Sequence, residues 1–132
     1  MTTFDGGCFC GAVRYRLKSA PMFVHCCHCT DCQSQTGGAF AINAIIEADR
    51  IDIVKGAPVP VTMKTDSGRP HDIYRCPECQ VAVWSDYARR PMRFVRVSTL
   101  DDRHAIVPDV HIFTRSKVPW VRLPDGARAF DI

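Results

Sequence analysis

The chain has 132 residues, 46% hydrophobic and 23% charged, a balance that supports a folded core and excludes a disordered segment. Seventeen Lys and Arg against fourteen Asp and Glu leave a net charge of +3, which points neither to nucleic acid nor to a membrane surface. The length suits one domain over residues 1–132 that needs no disulfide to fold.

Glycine and proline cut the chain into short pieces, several alternating with period two. In Ala12-Val13-Arg14-Tyr15-Arg16-Leu17, the residues Val13, Tyr15 and Leu17 share one face and the arginines the other. A short helix is predicted from Thr30-Asp31 through Gln35, ended by Gly37-Gly38, and a turn at 48–50. Further strands are expected at 51–54, 59–64, 81–84, 94–97 and 110–113, with Pro58 and Pro60 confining the second to a sheet edge. Many short strands separated by turn signals predict a mainly β, small antiparallel domain.

Eight cysteines are the anomaly. The N-terminus lacks a basic segment followed by an apolar one, and no apolar run approaches ~20 residues, so a cytoplasmic, non-membrane protein is expected. In a reducing compartment, close-set cysteines hold metal or carry reactive thiols more often than they form disulfides. Cys8-Phe9-Cys10 and Cys76-Pro77-Glu78-Cys79 are two short pairs distant in sequence. Together they can supply the four ligands of a closed, structural zinc site. The alternatives are a redox pair or plain buried thiols. A redox C-x-x-C normally opens a helix, whereas Cys79 precedes the β-type run Val81-Ala82-Val83-Trp84.

The run Cys26-Cys27-His28-Cys29-Thr30-Asp31-Cys32 is different. Cys27, Cys29 and Cys32 suffice to hold one ion and leave a fourth position open, the arrangement of a catalytic zinc. His25, Cys26 or His28 could instead close the site. His28 lies between two ligands and would tend to point away from their ion, and Cys26 could join Cys27 only through a contorted backbone.

These residues carry a family resemblance. Gly7-Cys8-x-Cys10-Gly11-x-Val13-x-Tyr15, Cys27-His28-Cys29-x-x-Cys32-x-x-x-Gly37 and Cys76-x-x-Cys79 resemble the glutathione-dependent formaldehyde-activating enzymes, a family that includes the centromere protein V type domain. The tail Pro108-Asp109-Val110-His111-Ile112, with Trp120 and Asp125-Gly126, is similar to its closing pattern. The resemblance implies a β-tent-like fold with two zinc ions. Cys8, Cys10, Cys76 and Cys79 would hold the structural zinc, and Cys27, Cys29 and Cys32 the catalytic one. It also implies a carbon–sulfur lyase that forms S-hydroxymethylglutathione from glutathione and formaldehyde. Gln80, where a glycine often stands, and Gln33, where arginine is frequent, depart from the pattern. The first suggests a strained turn and the second a missing positive charge.

A zinc ion on three thiolates is already negative, so it activates water poorly and suits an incoming thiol better. A bound thiolate adds charge that needs compensation, and glutathione brings two carboxylates. Arg14, Arg16, Arg69, Arg89, Arg90 and Arg115 are candidate partners, although exposed arginine is common. Trp84, Trp120 and Phe40 are pocket walls or core, and His111 a proton shuttle or a structural residue. An enzyme acting on a glutathione-type thiol therefore stands against a non-catalytic zinc-stabilised binding module or a glutathione carrier.

Overall fold

A computed structural model describes residues 2–132. Its strands are β1 (Phe4–Gly7), β2 (Arg14–Leu17), β3 (Phe23–Cys27), β4 (Ala41–Glu47), β5 (Ile51–Lys55), β6 (Val59–Met63), β7 (His71–Arg75), β8 (Ala82–Tyr87), β9 (Met92–Arg96) and β10 (Val110–Ile112). One helix, α1 (Thr30–Thr36), and three single 3-10 turns complete the regular structure. The mainly β expectation is met, and the helix and the 48–50 turn stand where the sequence places them.

Strands β1, β2 and β5 form a three-stranded sheet, and the rest form a seven-stranded sheet in the order β10-β3-β4-β9-β8-β7-β6. Strand β6, which carries Pro60, lies at the edge, where a missing N–H costs no ladder bond. The pairing is antiparallel with one correction: β10 runs parallel to β3. The chain leaves β9 at one interior position and crosses to the far edge through residues 97–109, and such a crossover permits parallel entry.

The two sheets enclose a core in which Val13, just before β2, and Tyr15 and Leu17 of β2 meet Val24, Ala44, Ile46, Val83, Trp84 and Val95. The alternation read in β2 is thus burial against exposure of Arg16 and partial exposure of Arg14. Tyr15 stands edge-on to Trp84, with ring centroids 5.4 Å apart. Strand β1 contains Gly6 because a Cβ there would lie 2.6 Å from the Tyr15 ring.

The opposite face of the large sheet positions the chemistry. His25 and Cys27 of β3 pair with Asn43 and Ala41 of β4, and Asn43 pairs with Arg96 of β9. Residues two apart share a strand face, so these side chains form one polar row under α1 and the loops.

Candidate metal centre and thiol site

Cys8, Cys10, Cys76 and Cys79 converge from two turns, their sulfurs all within 4.8 Å of one another. Cys8 and Cys10 Sγ are 3.7 Å apart, and Cys10 and Cys76 Sγ 3.8 Å. A tetrahedral ion with Zn–S of about 2.3 Å has a ligand–ligand edge of roughly 3.8 Å, so the set fits zinc without rearrangement. Backbone N–H groups point at the sulfurs, as thiolate charge requires: Val13 donates to Cys8 Sγ at 3.2 Å and Glu78 to Cys76 Sγ at 3.4 Å. Gln80 closes the second turn at φ 66°, so the expected strain is real, and its side chain donates to the Pro77 carbonyl.

Cys27, Cys29 and Cys32 form a second group, also within 4.8 Å. Cys27 ends β3, and Cys29 caps α1, its sulfur accepting the Cys32 N–H at 3.3 Å. Hydrogen bonding from Cys27 and Cys32 pulls the Cys29 thiol well below the ordinary thiol range. Gln33, in the position where arginine was expected, donates from Nε2 to the carbonyls of His28 and Ser116, both at 2.9 Å. It fastens the helix rather than balancing charge.

None of the three residues that could have closed this group belongs to it. His28 is fully buried and turned away, its Nε2 3.0 Å from His111 Nδ1, and with Cys26 these rings make a separate cluster. Burial lowers the pKa of both rings, so His111 is a neutral partner of His28. His25 lines the cavity but is committed to Asn43. Arg96 donates to Asn43 Oδ1, and Asn43 Nδ2 donates to His25 Nε2 at 2.9 Å. His25 Nε2 therefore accepts, leaving its proton on Nδ1. Burial, then the Arg96 charge, pushes its pKa down to about 4.

The three sulfurs face a cavity of about 450 Å³ walled by His25, His71, Phe94, Ile112 and Phe113. Phe113 reaches this wall with φ 56°, an uncommon conformation for a bulky residue. The arginines singled out from the sequence lie elsewhere: Arg14 pairs with Asp101, Arg16 with Asp5 and Arg89 with Asp72, and Arg69, Arg90 and Arg115 are exposed. Trp84 is core and Trp120 is 76% exposed, so neither walls the cavity. Sequence reasoning missed Arg75 and Arg96. Both end ordinary-looking strand segments, and only the sheet order brings them to the site.

The model of the family described as glutathione-dependent formaldehyde-activating enzyme matches residues 3–116. The chain belongs to that family. A Halomonas elongata protein, provisionally named a glutathione-dependent formaldehyde-activating enzyme, is 30% identical over 126 residues, covering 90% of this chain and 80% of that one. A Rhodobacter sphaeroides crystal structure superposes with a TM-score of 0.58 at 18% identity, covering 96% of this chain and 98% of that one, which shows a shared fold. The family's description names glutathione, a thiol, and the geometry adds cysteine groups that could hold a metal ion. Among the described residues, no helix is long and apolar enough to cross a membrane.

Proposed function

We propose that this family member is a cytoplasmic carbon–sulfur lyase that joins a glutathione-type thiol to formaldehyde. On this reading Cys8, Cys10, Cys76 and Cys79 hold a structural zinc, and Cys27, Cys29 and Cys32 a catalytic one. The observation that carries it is a three-sulfur group at a cavity wall, with His25, Cys26 and His28 all engaged elsewhere. When bound there, zinc would supply an open, soft position that favours the deprotonated form of a substrate thiol.

The chain's own residues complete the reaction. Phe94, Ile112 and Phe113 keep the cavity wall apolar, which limits water at the reacting carbon. Arg96 sits near enough to feel the Cys32 and Cys27 thiolates, and its charge offsets the negative sulfur cluster. The substrate thiol gives up its proton, its sulfur attacks the formaldehyde carbon, a C–S bond forms, the C=O π pair moves to oxygen, and that oxygen takes up one proton in place of the one the thiol lost. His71, neutral because of burial and the Arg96 charge, stands at the wall beside Gln35.

Cobalt substitution tests the reading. Glutathione should change the visible spectrum of one of two bound ions, and formaldehyde should be consumed faster than in the enzyme-free reaction. Cys29→Ser should remove both effects and leave the fold intact. Spectral change without turnover would make the protein a thiol carrier. Two ions indifferent to thiol would make it a binding module.

A further inference from the structure

Arg75 and Arg96 line a second cavity, of about 390 Å³, together with Gln35, Phe40, Ala82 and Thr99. Gln35 of α1 also lines the cavity of the three sulfurs, so one side chain divides the two spaces. No acidic residue borders the second cavity. Among the described residues, Arg75 and Arg96 are the only arginines that are less than exposed and yet have no carboxylate within 4.0 Å. The other two such arginines, Arg14 and Arg93, are paired with Asp101 and Asp86.

Two like charges in one partly buried space repel each other and lose hydration, which is unfavourable unless an anion joins them. Burial, and Arg75 nearby, lower the pKa of the Arg96 guanidinium. Each side chain commits one nitrogen to the protein, Arg75 to the Gln80 carbonyl at 3.0 Å and Arg96 to Asn43 Oδ1. A guanidinium has five N–H donors, so both keep donors for a planar anion. Arg96 lies two strands from His25 in register, roughly 10 Å at ordinary strand spacing, and Cys27 follows His25 on the same face. That is the scale of a thiol separated from a carboxylate by one or two peptide units.

We propose that the Arg75–Arg96 cavity is the carboxylate-binding subsite of the thiol substrate, selecting peptide thiols that carry an anionic end over simple thiols. The inference rests on the thiol-binding reading of the three-sulfur site, and two probes separate them. S-methylglutathione keeps both carboxylates but has no thiol to ionise. 2-Mercaptoethanol has the thiol and no carboxylate.

In calorimetry on the metal-loaded protein, S-methylglutathione should bind, and Arg75→Gln or Arg96→Ala should weaken it roughly tenfold to a hundredfold. Both variants should weaken glutathione by a similar factor, and Arg75→Gln, which lies outside the sulfur site, should leave the 2-mercaptoethanol response of the cobalt protein unchanged. Arg75→Gln guards against a folding defect in the Arg96 variant, because Arg75 holds only a turn carbonyl. Equal weakening of glutathione and 2-mercaptoethanol in Arg75→Gln would overturn the subsite, as would variants that bind S-methylglutathione normally. Inorganic phosphate competing as well as S-methylglutathione would overturn the carboxylate assignment. A response to 2-mercaptoethanol with no S-methylglutathione binding leaves thiol ligation standing and removes the subsite; the converse pattern keeps the subsite and removes thiol ligation.

Discussion

Cys26 and Cys27 are neighbours in β3 but belong to opposite faces of its sheet. Cys27 opens onto the cavity beside Cys29 and Cys32, whereas Cys26 is 2% exposed and lies in the cluster of His28 and His111. Strand alternation produces this division without backbone distortion. Burial pushes the Cys26 thiol up to about 12, so it stays protonated at neutral pH, and on the two-zinc reading only Cys27 of the two is a ligand. Cys26→Ala is predicted to keep the full metal content and cost about 1 kcal/mol of stability. Cys27→Ala should lose one metal ion, read by elemental analysis of the purified protein. Equal metal loss in both variants would contradict the division.

Cys76 is fully buried and, with Cys8, part of the hydrophobic core. On the two-zinc reading, its sulfur links the turn after β7 to the turn after β1 across the interior. Cys76→Ser should therefore unfold the chain, because losing a structural zinc site removes an energy comparable with a domain's whole stability of ~5–15 kcal/mol. Chelation of the wild-type protein should do the same. The measurement is far-ultraviolet circular dichroism with and without chelator, and a cooperative, folded Cys76→Ser protein would sink the idea.

Much of this was legible because short-range chemistry set it. The β2 alternation, the edge position of Pro60, the helix from Thr30 and the Cys27, Cys29 and Cys32 group each follow from local rules, while the two distant cysteine pairs were legible from their ligand spacing. Strand β4 escaped notice because Ala44, Ile45 and Ile46 are consecutively buried, so period-two alternation is lost. Strand β3 escaped because its histidine and cysteines looked like ligands only. Arg75 and Arg96 were invisible for another reason. Their meaning depends on carboxylates that are absent around them, and that depends on sheet order across distant segments.

Tyr15 gives a prediction in alkaline solution. Its ring is 1% exposed, its hydroxyl meets Thr99 Oγ1 at 2.7 Å, and burial raises its pKa to about 12 from 10.0. The folded state thus holds the phenolic proton more tightly than the unfolded one. Stability contributed by this group is full below pH 10 and is lost as pH rises towards 12, by roughly 3 kcal/mol. Urea unfolding across this range should show the fall, and Tyr15→Phe should flatten that part of it after an initial loss of about 1 kcal/mol. An unchanged slope in the phenylalanine variant would assign the effect to other groups.

Gln80 occupies the left-handed region at φ 66° in the turn after Cys79. A residue with a Cβ is strained there by roughly 1–2 kcal/mol, a penalty glycine does not incur. Gln80→Gly gives up the 3.1 Å bond to the Pro77 carbonyl and gains unfolded-state entropy, which offsets part of the relief. The expected net gain is about 0.5 kcal/mol, seen as a rise of a few degrees in Tm. A lower Tm would mean that the Pro77 bond holds the turn more strongly than strain opposes it.

Asn43 is the hinge of the polar row, accepting from Arg96 and donating to His25 Nε2. It is 3% exposed, so Asn43→Ala leaves a buried imidazole acceptor and a guanidinium donor without partners. The expected cost is about 2–4 kcal/mol in urea unfolding. Asn43→Asp is more informative. It still accepts from Arg96 and gives that guanidinium a resident carboxylate, while no longer donating to His25. If Arg96 recruits the substrate carboxylate, this internal competitor should lower glutathione affinity about tenfold. The 2-mercaptoethanol response should fall much less, because the three sulfurs are untouched and lose only part of the Arg96 counter-charge. Should both thiols weaken together in Asn43→Asp, the polar row would be supporting the sulfur cluster itself through His25, and Arg96 would act only as its counter-charge.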